Sequence, residues 1–599
     1  MRSFFRTLLA AFVACGVVAL IAVFIIVGSV SSIFGDFGSQ FEAKSFRVKN
    51  NSVLHMKLDN RIAERTYSNF SQTSFQIEST IGIDAIRAGL EAAKSDDKIK
   101  GIYIDISGIT AGMATLEEIR VALIDFKKSN KFVVAYSEFY SQGSYYLASV
   151  ADEMYIYPEG NMDFRGLGAE VMFFKNMLDK LEIDMQIIRG SNNKFKSAVE
   201  PFMYDKMSDA NRAQMESLIG SMWSHMKSGI EESRGITVAE LDAIADSAAV
   251  STAADAVEYK MVDGAKYKDE IIALLQTKMG VEKTSDLNVV EFAKYAKKKI
   301  KKKRKKGMNN GNIAIVYANG AIESGDGNLE TIGSEGVSKA LRAARLNDDV
   351  KAVVLRVNSP GGSALASDVI WREVKLIEET DKPIIVTMGD YAASGGYYIA
   401  CAADKIYAQP NTLTGSIGVF GVIPNLEGLL TNKLGITTDR VETNEFALLS
   451  MTKPLEEAEI KLIQEGVDEV YGLFKQRVAD GRADLDVAGV DSIGQGRVWS
   501  GTDAVKIGLV DELGGIEDAI AFAASEAGIE SDDIKIVEYP DMGDGDLSEL
   551  LEILESLDQN ADDDDPGLSE EIMKNLIAID KVTKMKGIQA RIPFEVVVK

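Results

Sequence analysis

The sequence predicts an α/β protein built from two tandem copies of one domain behind a single N-terminal transmembrane helix. Three observations lead to this prediction: a long uncharged run near the N-terminus, a diverged internal repeat at a spacing of about 250 residues, and an alternation of β-branched runs with helical stretches inside each copy. The length of 599 residues agrees with two domains, because a single hydrophobic core stops growing at roughly 250–300 residues.

The first element is the predicted membrane anchor. Residues 8–34 contain no charged side chain, and this run is longer than the roughly 20 apolar residues that cross a bilayer. Arg2 and Arg6 precede the run and Asp36 follows it, so the positive-inside rule places residues 1–7 in the cytoplasm and the rest of the chain outside. A cleaved signal peptide is the alternative, but its apolar region usually has about 7–15 residues. We therefore expect an uncleaved anchor.

The second element is the repeat. The stretch at 140–168 matches the stretch at 391–419, with two adjacent tyrosines, an Ala-Asp pair, a proline and a glycine in corresponding places. Two further pairs of segments match in the same order, 95–107 with 347–359 and 255–264 with 503–512. Because order and spacing hold over most of each half, we interpret the two halves as copies of one domain.

The third element is the internal pattern of each copy. In the second copy, AVVLRV (352–357) and PIIVTM (383–388) are typical of strands, whereas 368–380 and 395–403 are typical of helices. This β-α-β-α order predicts an α/β domain with largely parallel strands.

The repeats and the composition of the intervening segments divide the chain after the anchor into four parts. These are an N-terminal repeat domain at 45–285, a basic linker at 286–311, a C-terminal repeat domain at 312–540, and an acidic segment with the C-terminal tail at 541–599. The linker carries the run KKKIKKKRKK, which is either a solvated segment or a contact with anionic lipid headgroups.

Composition excludes several classes of function. The net charge of −25 argues against nucleic acid as the main partner, since phosphate binding needs a basic face. The two cysteines, Cys15 and Cys401, lie in separate apolar stretches, which makes a structural disulfide implausible. No cluster of His, Cys and Asp residues has the spacing of metal ligands, so we expect neither a metal nor a cofactor.

Ser394 is the candidate nucleophile. It lies in GDYAASGGYY between a predicted strand and a predicted helix, which is the strand–turn–helix context of nucleophilic serines. Gly395 and Gly396 open the helix, so the hydroxyl would lie near free N–H groups and the positive end of the helix dipole. The alternative is an ordinary helix cap.

The SPGG turn at 359–362 is the candidate oxyanion hole. It follows the strand AVVLRV, and consecutive N–H groups in such a turn can stabilise an oxyanion. The alternative is a plain tight turn.

Histidine is a poor candidate for the base that activates Ser394. The chain contains two histidines; His55 lies in a strand-like run and His225 in an amphipathic helix, and neither is near a loop motif. A Ser-His-Asp triad is therefore disfavoured.

Lysine remains, and the repeats indicate which one. Lys196 in NKFKSAVEPF aligns with Leu448 or Leu449 of the second copy, and Gln142 occupies the place of Ser394 in the first. Each half thus lacks the partner that the other half has, either because duplication divided a Ser/Lys pair or through independent drift. We expect each chain to build its own site between its two repeats, with the unmatched positions as an inactive counterpart.

The chemistry of a lysine base sets a requirement on its surroundings. Lysine can take the serine proton only when it is neutral, and its reference pKa is about 10.4. Lowering that pKa to about 7 requires a site that destabilises the ammonium form, and burial among apolar side chains does this. Phe195, Val199 and Phe202 surround Lys196 in the sequence.

These motifs together resemble the signal peptide peptidase SppA family in its long, tandem-domain form, a group of Ser/Lys-dyad serine peptidases also called protease IV. The resemblance covers nearly the whole chain, and its most specific pieces are KSAVEPF, VNSPGG, the ASGGYY stretch and TLTGSIG at 412–418. It implies two crotonase/Clp-like domains, a homotetrameric dome on the outer side of a bacterial inner membrane, and cleavage of remnant signal peptides in contact with membrane lipid.

The resemblance also implies roles for individual residues. Ser394 matches the nucleophile and Lys196 the general base; Gly361 or Gly362 and Gly395 match the oxyanion donors; Ser416 matches a serine that positions the lysine. The basic linker and the acidic tail depart from the family pattern. The alternatives are a crotonase-type acyl-CoA enzyme and an inactive membrane scaffold.

Overall fold

A computed structural model describes residues 48–71, 76–106, 108–540 and 589–591. The predicted anchor at 8–34, the N-terminal residues 1–7 and most of the acidic tail lie outside these residues. Among the described residues, no helix is both long enough and apolar enough to span a bilayer.

The first repeat is organised around a six-stranded parallel sheet in the order β8-β6-β5-β4-β1-β9. Its central strands are buried on both faces over most of their length, as expected for near-continuous apolar runs covered by helices. The strands of this half are β1 (Ser52–Leu58), β2 (Tyr67–Ser71), β3 (Gln76–Thr80), β4 (Ile99–Ile106), β5 (Phe132–Tyr140), β6 (Glu153–Met162), β7 (Asp184–Arg189), β8 (Gly264–Ala265) and β9 (Asn288–Glu291).

The second repeat contains the same arrangement, with the parallel order β20-β16-β15-β13-β10-β21. The short strands β17 and β19 extend the sheet beside β15. The strands of this half are β10 (Ile313–Asn319), β11 (Ala321–Glu323), β12 (Thr331–Gly333), β13 (Ala352–Ser359), β14 (Gly361–Ser363), β15 (Ile384–Ala393), β16 (Lys405–Ala408), β17 (Leu413–Gly415), β18 (Phe420–Asn425), β19 (Val498–Ser500), β20 (Glu512–Leu513), β21 (Ile536–Tyr539) and β22 (Gln589–Arg591).

Helices cover both sheets. In chain order they are α1 (Ile83–Ser95), α2 (Met113–Lys127), α3 (Gln142–Ala148), α4 (Lys175–Lys180), α5 (Glu200–Met203), α6 (Asp209–Arg234), α7 (Val238–Asp246), α8 (Ala253–Glu258), α9 (Lys268–Met279), α10 (Phe292–Asn310), α11 (Ser334–Leu346), α12 (Ala364–Glu378), α13 (Gly395–Ala400), α14 (Glu457–Gly481), α15 (Val487–Ile493), α16 (Gly501–Lys506) and α17 (Ile516–Glu526).

Individual hydrogen bonds and ion pairs also recur at corresponding positions of the two repeats. The carboxylate of Asp152 accepts from the N–H of Val133, and that of Asp404 accepts from the N–H of Ile384. Helix α6 ends in Arg234, which pairs with Asp263, and helix α14 is followed by Arg482, which pairs with Asp511. Equal strand order and equal contacts confirm the tandem α/β architecture.

The basic segment differs from the expected solvated linker. Most of it is helix α10, whose Phe292, Tyr295 and Ile300 are buried in the core of the first repeat. Arg304 on the same helix pairs with Asp84 at 2.7 Å and with Glu538 of β21 at 2.7 Å. The helix therefore joins the two sheets, with its apolar side packed inward and many of its lysines exposed.

A buried arginine links the two repeats near their centre. Arg356 on β13 is fully buried and forms ion pairs with Glu64 at 2.9 Å and Glu118 at 2.6 Å, both from the first repeat. Burial raises the pKa of Glu118, while Arg356 opposes that rise. Asp390, from a bulge in β15, reaches across and accepts hydrogen bonds from Thr115 in the first turn of α2.

A third sheet joins strands of both repeats in the order β12-β11-β14-β22-β18-β7. Strand β7 of the first repeat pairs antiparallel with β18 of the second along six residues. This junction brings the KSAVEPF segment, which follows β7, next to the second repeat.

Candidate active site

Ser394 occupies a strained turn between β15 and α13. Its φ angle is 58°, a region in which a non-glycine residue is uncommon and which is often found at functional sites. Its N–H donates to the carbonyl of Gly415 at 2.8 Å, so the turn is fixed from the neighbouring strand β17. The serine side chain is thereby held at the N-terminal end of α13, as the sequence predicted.

Lys196 lies against Ser394 within the same chain. Its Nζ is 2.8 Å from the Oγ of Ser394, 3.0 Å from the Oγ of Ser416 and 3.1 Å from the carbonyl oxygen of Ser416. The side chain is 0% exposed, and burial holds its pKa well below the usual lysine range. The lysine comes from the first repeat and the serine from the second, so this candidate site lies between the repeats.

Two backbone features hold the lysine in place. Ser416 has a φ of 50° and its N–H donates to the carbonyl of Arg497 at 2.7 Å. Gly496, which precedes Arg497 in the chain, packs closely on Lys196. A Cβ added to this glycine would lie 2.5 Å from the Cβ of Lys196. The family resemblance had pointed to Ser416, whereas nothing in the sequence indicated Gly496, because only the folded loop reveals the close approach.

A buried glutamine adds a second support that the sequence did not indicate. Gln214 on α6 donates to the hydroxyl of Ser197, the residue after the lysine, at 3.3 Å. The same side chain accepts from the N–H of Val498 on β19 at 2.8 Å. It thus ties the lysine segment of the first repeat to the strand beside β17.

The SPGG turn packs on the start of α13. A Cβ added to Gly396 would lie 2.6 Å from the carbonyl oxygen of Ser359, so the turn and the serine helix are in close contact. Of the three expected oxyanion donors, Gly395 opens the helix and its N–H has no partner within the helix. The N–H of Gly361 is engaged by the hydroxyl of Ser359 at 3.1 Å, and Gly362 lies in β14.

Neither histidine supplies a base to this site. His55 bonds to Asp105 at 3.2 Å, and His225 lies 3.3 Å from Glu117. Both pairs are built within the first repeat, away from Ser394. Over the described parts of the chain, no group of three or more His, Cys, Asp and Glu residues is arranged to hold a metal ion.

The inactive counterpart was predicted at Gln142 and at Leu448 or Leu449, and the structure places these residues in different environments. Gln142 is buried and bonds to the backbone of residues 165–166. Leu448 and Leu449 are instead 39% and 51% exposed. The positions that replaced serine and lysine therefore lie in different surroundings.

The model of peptidase family S49 matches this chain twice, at residues 125–282 and 377–530, one match in each repeat. The chain belongs to peptidase family S49. The second repeat of the peptidase also matches the Clp protease model at residues 316–414, in agreement with the expected Clp-like α/β fold. The peptidase is thus a serine peptidase, which sets aside the acyl-CoA enzyme and the inactive scaffold.

Curated proteins of similar sequence support the same family. The peptidase is 38% identical to "Protease 4" of Salmonella typhi over 76% of its own length and 74% of that protein. It is 33% identical to the chloroplastic "Serine protease SPPA" of Arabidopsis thaliana over 81% and 70% of the two chains. It is 38% identical to a "Putative signal peptide peptidase SppA" of Enterococcus faecium over 39% and 68%.

A strand from the C-terminal end of the peptidase lies beside the SPGG turn. Strand β22 pairs antiparallel with β14, with Arg591 opposite Gly361 and Gln589 opposite Ser363. On its other side Gln589 pairs with Phe420 of β18. The backbone of residues 589–591 therefore fills a gap between two strands that border the candidate site.

Proposed function

We propose that the peptidase cleaves peptide bonds with Ser394 as nucleophile and Lys196 as general base. The observation that carries this proposal is the 2.8 Å hydrogen bond between the buried Nζ of Lys196 and the Oγ of Ser394. Burial lowers the pKa of Lys196 and so favours the neutral amine, which is the form that can accept the serine proton.

The residues around this pair account for each step of acyl transfer. Neutral Lys196 takes the proton as the Oγ of Ser394 attacks the scissile carbonyl, and the resulting ammonium donates that proton to the leaving amine. The oxyanion lies near the N–H groups of Gly395 and of Gly361 or Gly362. Lys196, neutral again, then removes a proton from the water that attacks the acyl-enzyme, and returns it to the Oγ of Ser394 as the ester bond breaks and the acid product leaves.

The hydrogen bonds of Ser416 support its proposed role in positioning the side chain of Lys196. Its hydroxyl lies 3.0 Å from the Nζ of Lys196 and 3.2 Å from the carbonyl oxygen of Gly496. We assign it the role of holding the lysine toward Ser394. No metal or other cofactor takes part in this mechanism.

We infer that the substrates are extended, apolar peptides, with cleaved signal peptides as the main class. One relative carries the name signal peptide peptidase, and signal peptides have an apolar central region. The anchor predicted at 8–34 would hold the catalytic repeats outside the bacterial inner membrane, beside the lipid from which such peptides are released. The gap that β22 fills between β14 and β18 is shaped for a peptide strand that pairs with exposed backbone groups.

Covalent labelling tests the nucleophile. A fluorophosphonate probe is expected to modify the full chain at Ser394, located by mass spectrometry of the labelled peptide, and Ser394→Ala is expected to remain unlabelled. Ser95→Ala, a substitution at an exposed serine of the first repeat, serves as the matched control and should label like the parent chain. Labelling of Ser394→Ala at the parent rate would contradict the assignment.

The pH dependence of hydrolysis should follow Lys196. Only neutral lysine can act as base, so activity is expected to rise from acid to mildly alkaline pH and to fall as the pH drops through the lowered pKa. The steady-state kcat of hydrolysis of an apolar reporter peptide, measured across pH, gives this profile. His55→Gln and His225→Gln should leave its midpoint unchanged; a midpoint lost with either histidine would be incompatible with a lysine base.

A further inference from the structure

The strand that leads to the candidate nucleophile contains a bulge. Strands β13 and β15 pair in parallel up to Val357 opposite Met388, and the next pair is Ser359 opposite Ala392. The ladder therefore advances by two residues on β13 and by four on β15, which places residues 389–391 outside the pairing with β13. Because the nucleophile follows directly after β15, its position depends on how this bulge is held.

The side chain of Asn358, which lies between the last two pairs on β13, fills the bulge. Its Oδ1 accepts from the N–H of Tyr391 at 3.0 Å, and its Nδ2 donates to the Oε1 of Glu64 at 2.8 Å. A backbone N–H only donates and an ionised carboxylate only accepts, so these two partners fix the orientation of the amide. One side chain thus joins the bulge of β15 to the first repeat, from which Glu64 comes.

The partner of this amide is itself held in place. Glu64 is buried, and its other carboxylate oxygen accepts from the Nε of Arg356 at 2.9 Å. A Cβ added to Gly389, the first residue of the bulge, would lie 2.7 Å from the Oε1 of Glu64 and 3.0 Å from the Cγ of Asn358. The bulge therefore packs directly on the contact between the amide and the carboxylate, and glycine leaves the space for it.

The first repeat contains the same bulge and closes it in a different way. The register of β5 shifts between Ser137 and Phe139, and the N–H of Phe139 donates to the Oγ of Ser137 in the same strand at 3.1 Å. The spacing that aligns the repeats matches Phe139 with Tyr391 and Ser137 with Gly389. The corresponding N–H thus has a local acceptor in the first repeat and a cross-strand acceptor in the second.

The residue that supplies the cross-strand amide also differs between the repeats. The match of 95–107 with 347–359 places Ile106 where the second repeat has Asn358. The repeat without the serine closes its bulge inside one strand, whereas the repeat with the serine closes it from the neighbouring strand. Because the local hydroxyl satisfies the same N–H, the cross-strand amide indicates a requirement of the site and not of the fold.

We propose that Asn358 is a positioning residue, whose amide holds Ser394 in register with the SPGG turn and with the repeat that supplies Lys196. The turn begins at the residue after Asn358, and Ser394 lies three residues after Tyr391. Glu64 belongs to the same repeat as the lysine. Acyl transfer requires that nucleophile, base and oxyanion donors keep one geometry, so this inference rests on the function proposed above.

Other contacts keep the bulge in the structure when the amide is lost. The carbonyl of Gly389 accepts from the hydroxyl of Thr412 at 2.8 Å. The carboxylate of Asp390 accepts from the N–H of Thr115 at 3.0 Å and from its hydroxyl at 2.7 Å. We therefore expect that replacement of Asn358 displaces the nucleophile without unfolding the strand.

Asn358→Leu in the full chain tests the role, because leucine has a similar shape and makes neither hydrogen bond. Fluorophosphonate labelling of Ser394 and the kcat of reporter-peptide hydrolysis are expected to fall by about 10²-fold. KM and the pH midpoint of kcat should stay near the parent values, since Lys196 is untouched. Asn319→Leu is the matched control: Asn319 lies opposite Asn358 on β10 and donates to the carbonyl of Leu329, so the parent rates should remain.

A reversed hydrogen bond provides the rescue. Asn358→Asp alone places a second carboxylate against Glu64, and the labelling rate should fall as it does for Asn358→Leu. Combined with Glu64→Gln, the new amide donates to the new carboxylate, which still accepts from the N–H of Tyr391 and returns one negative charge to the surroundings of Arg356. The labelling rate of this double variant is expected to recover to within about tenfold of the parent, a non-additive result that marks direct coupling. A double variant as slow as Asn358→Asp alone would overturn the proposal.

The labelling rates separate this inference from the function on which it rests. A parent chain that is not labelled at Ser394 would remove the proposed function and this inference together. A parent that is labelled, with equal rates for Asn358→Leu and only a lower melting temperature, would leave Asn358 a purely structural residue and remove this inference alone. If Asn358→Leu does not fold, the rescue by the paired substitution decides.

Discussion

Replacement of Lys196 by methionine is expected to lower the kcat of peptide hydrolysis by about 10⁴-fold or more, the usual loss when one member of a catalytic unit is removed. Methionine fills a similar volume in the buried site but cannot accept a proton. Lys196→Arg should be equally inactive, because a guanidinium does not lose its proton in proteins. Ser394→Ala should show a loss of the same size, since the two residues act as a unit.

A substitution at a neighbouring lysine and a mixture of two inactive variants serve as controls for this loss of activity. Lys194→Met, at an exposed lysine two residues away, should retain the activity of the parent chain. Chains with Ser394→Ala mixed with chains with Lys196→Met, after verified subunit exchange, should stay inactive because each chain holds its own serine and lysine. Recovered hydrolysis on mixing would show that neighbouring chains share sites, and substantial turnover by Lys196→Met alone would remove the lysine from the mechanism.

Arg356→Met is expected to lower the free energy of unfolding by about 3–5 kcal/mol, the cost of leaving a buried ion pair without one partner. Glu64 and Glu118 would lose the buried cation that pairs with both of them. Chemical denaturation measures the change, with a comparison of two optical probes to detect separate unfolding of the repeats.

An exposed ion pair between the repeats provides the control. Arg61 and Glu330 lie 3.6 Å apart and both side chains are about two-thirds exposed. Arg61→Met should therefore change the free energy of unfolding by no more than about 0.5 kcal/mol. Equal effects of the two substitutions would show that burial does not set the contribution of Arg356.

The tandem architecture was predictable because duplication leaves matching residues at regular spacing. Asp152 and Asp404 were matched in sequence, and each carboxylate accepts from a strand N–H of its own sheet. The meeting of Lys196 with Ser394 was also predictable, since each half lacks what the other half has. That inference needed no knowledge of the backbone, because residue identity alone carried the signal.

Other features depend on tertiary contacts that sequence pattern does not reveal. The basic run was interpreted as a linker because its lysines dominate its composition, whereas Arg304 is fixed by Asp84 and Glu538 far along the chain. The SPGG motif also did not reveal that the N–H of Gly361 donates to the hydroxyl of Ser359, an acceptor that a substrate oxyanion would have to replace. The left-handed backbone of Ser394 and the close approach of Gly496 to the lysine exist only after folding.

The C-terminal strand has a consequence for how any peptide reaches the buried serine. Residues 589–591 already pair with β14 and β18, so a peptide that enters the gap as a strand exchanges hydrogen bonds and does not add to their number. Binding is then a competition with a tethered segment, whose covalent link gives it a high effective concentration. Under such an exchange, the apparent affinity for a peptide equals the intrinsic affinity multiplied by the fraction of chains whose gap is empty. Selectivity between peptides would follow from their ability to displace this resident strand.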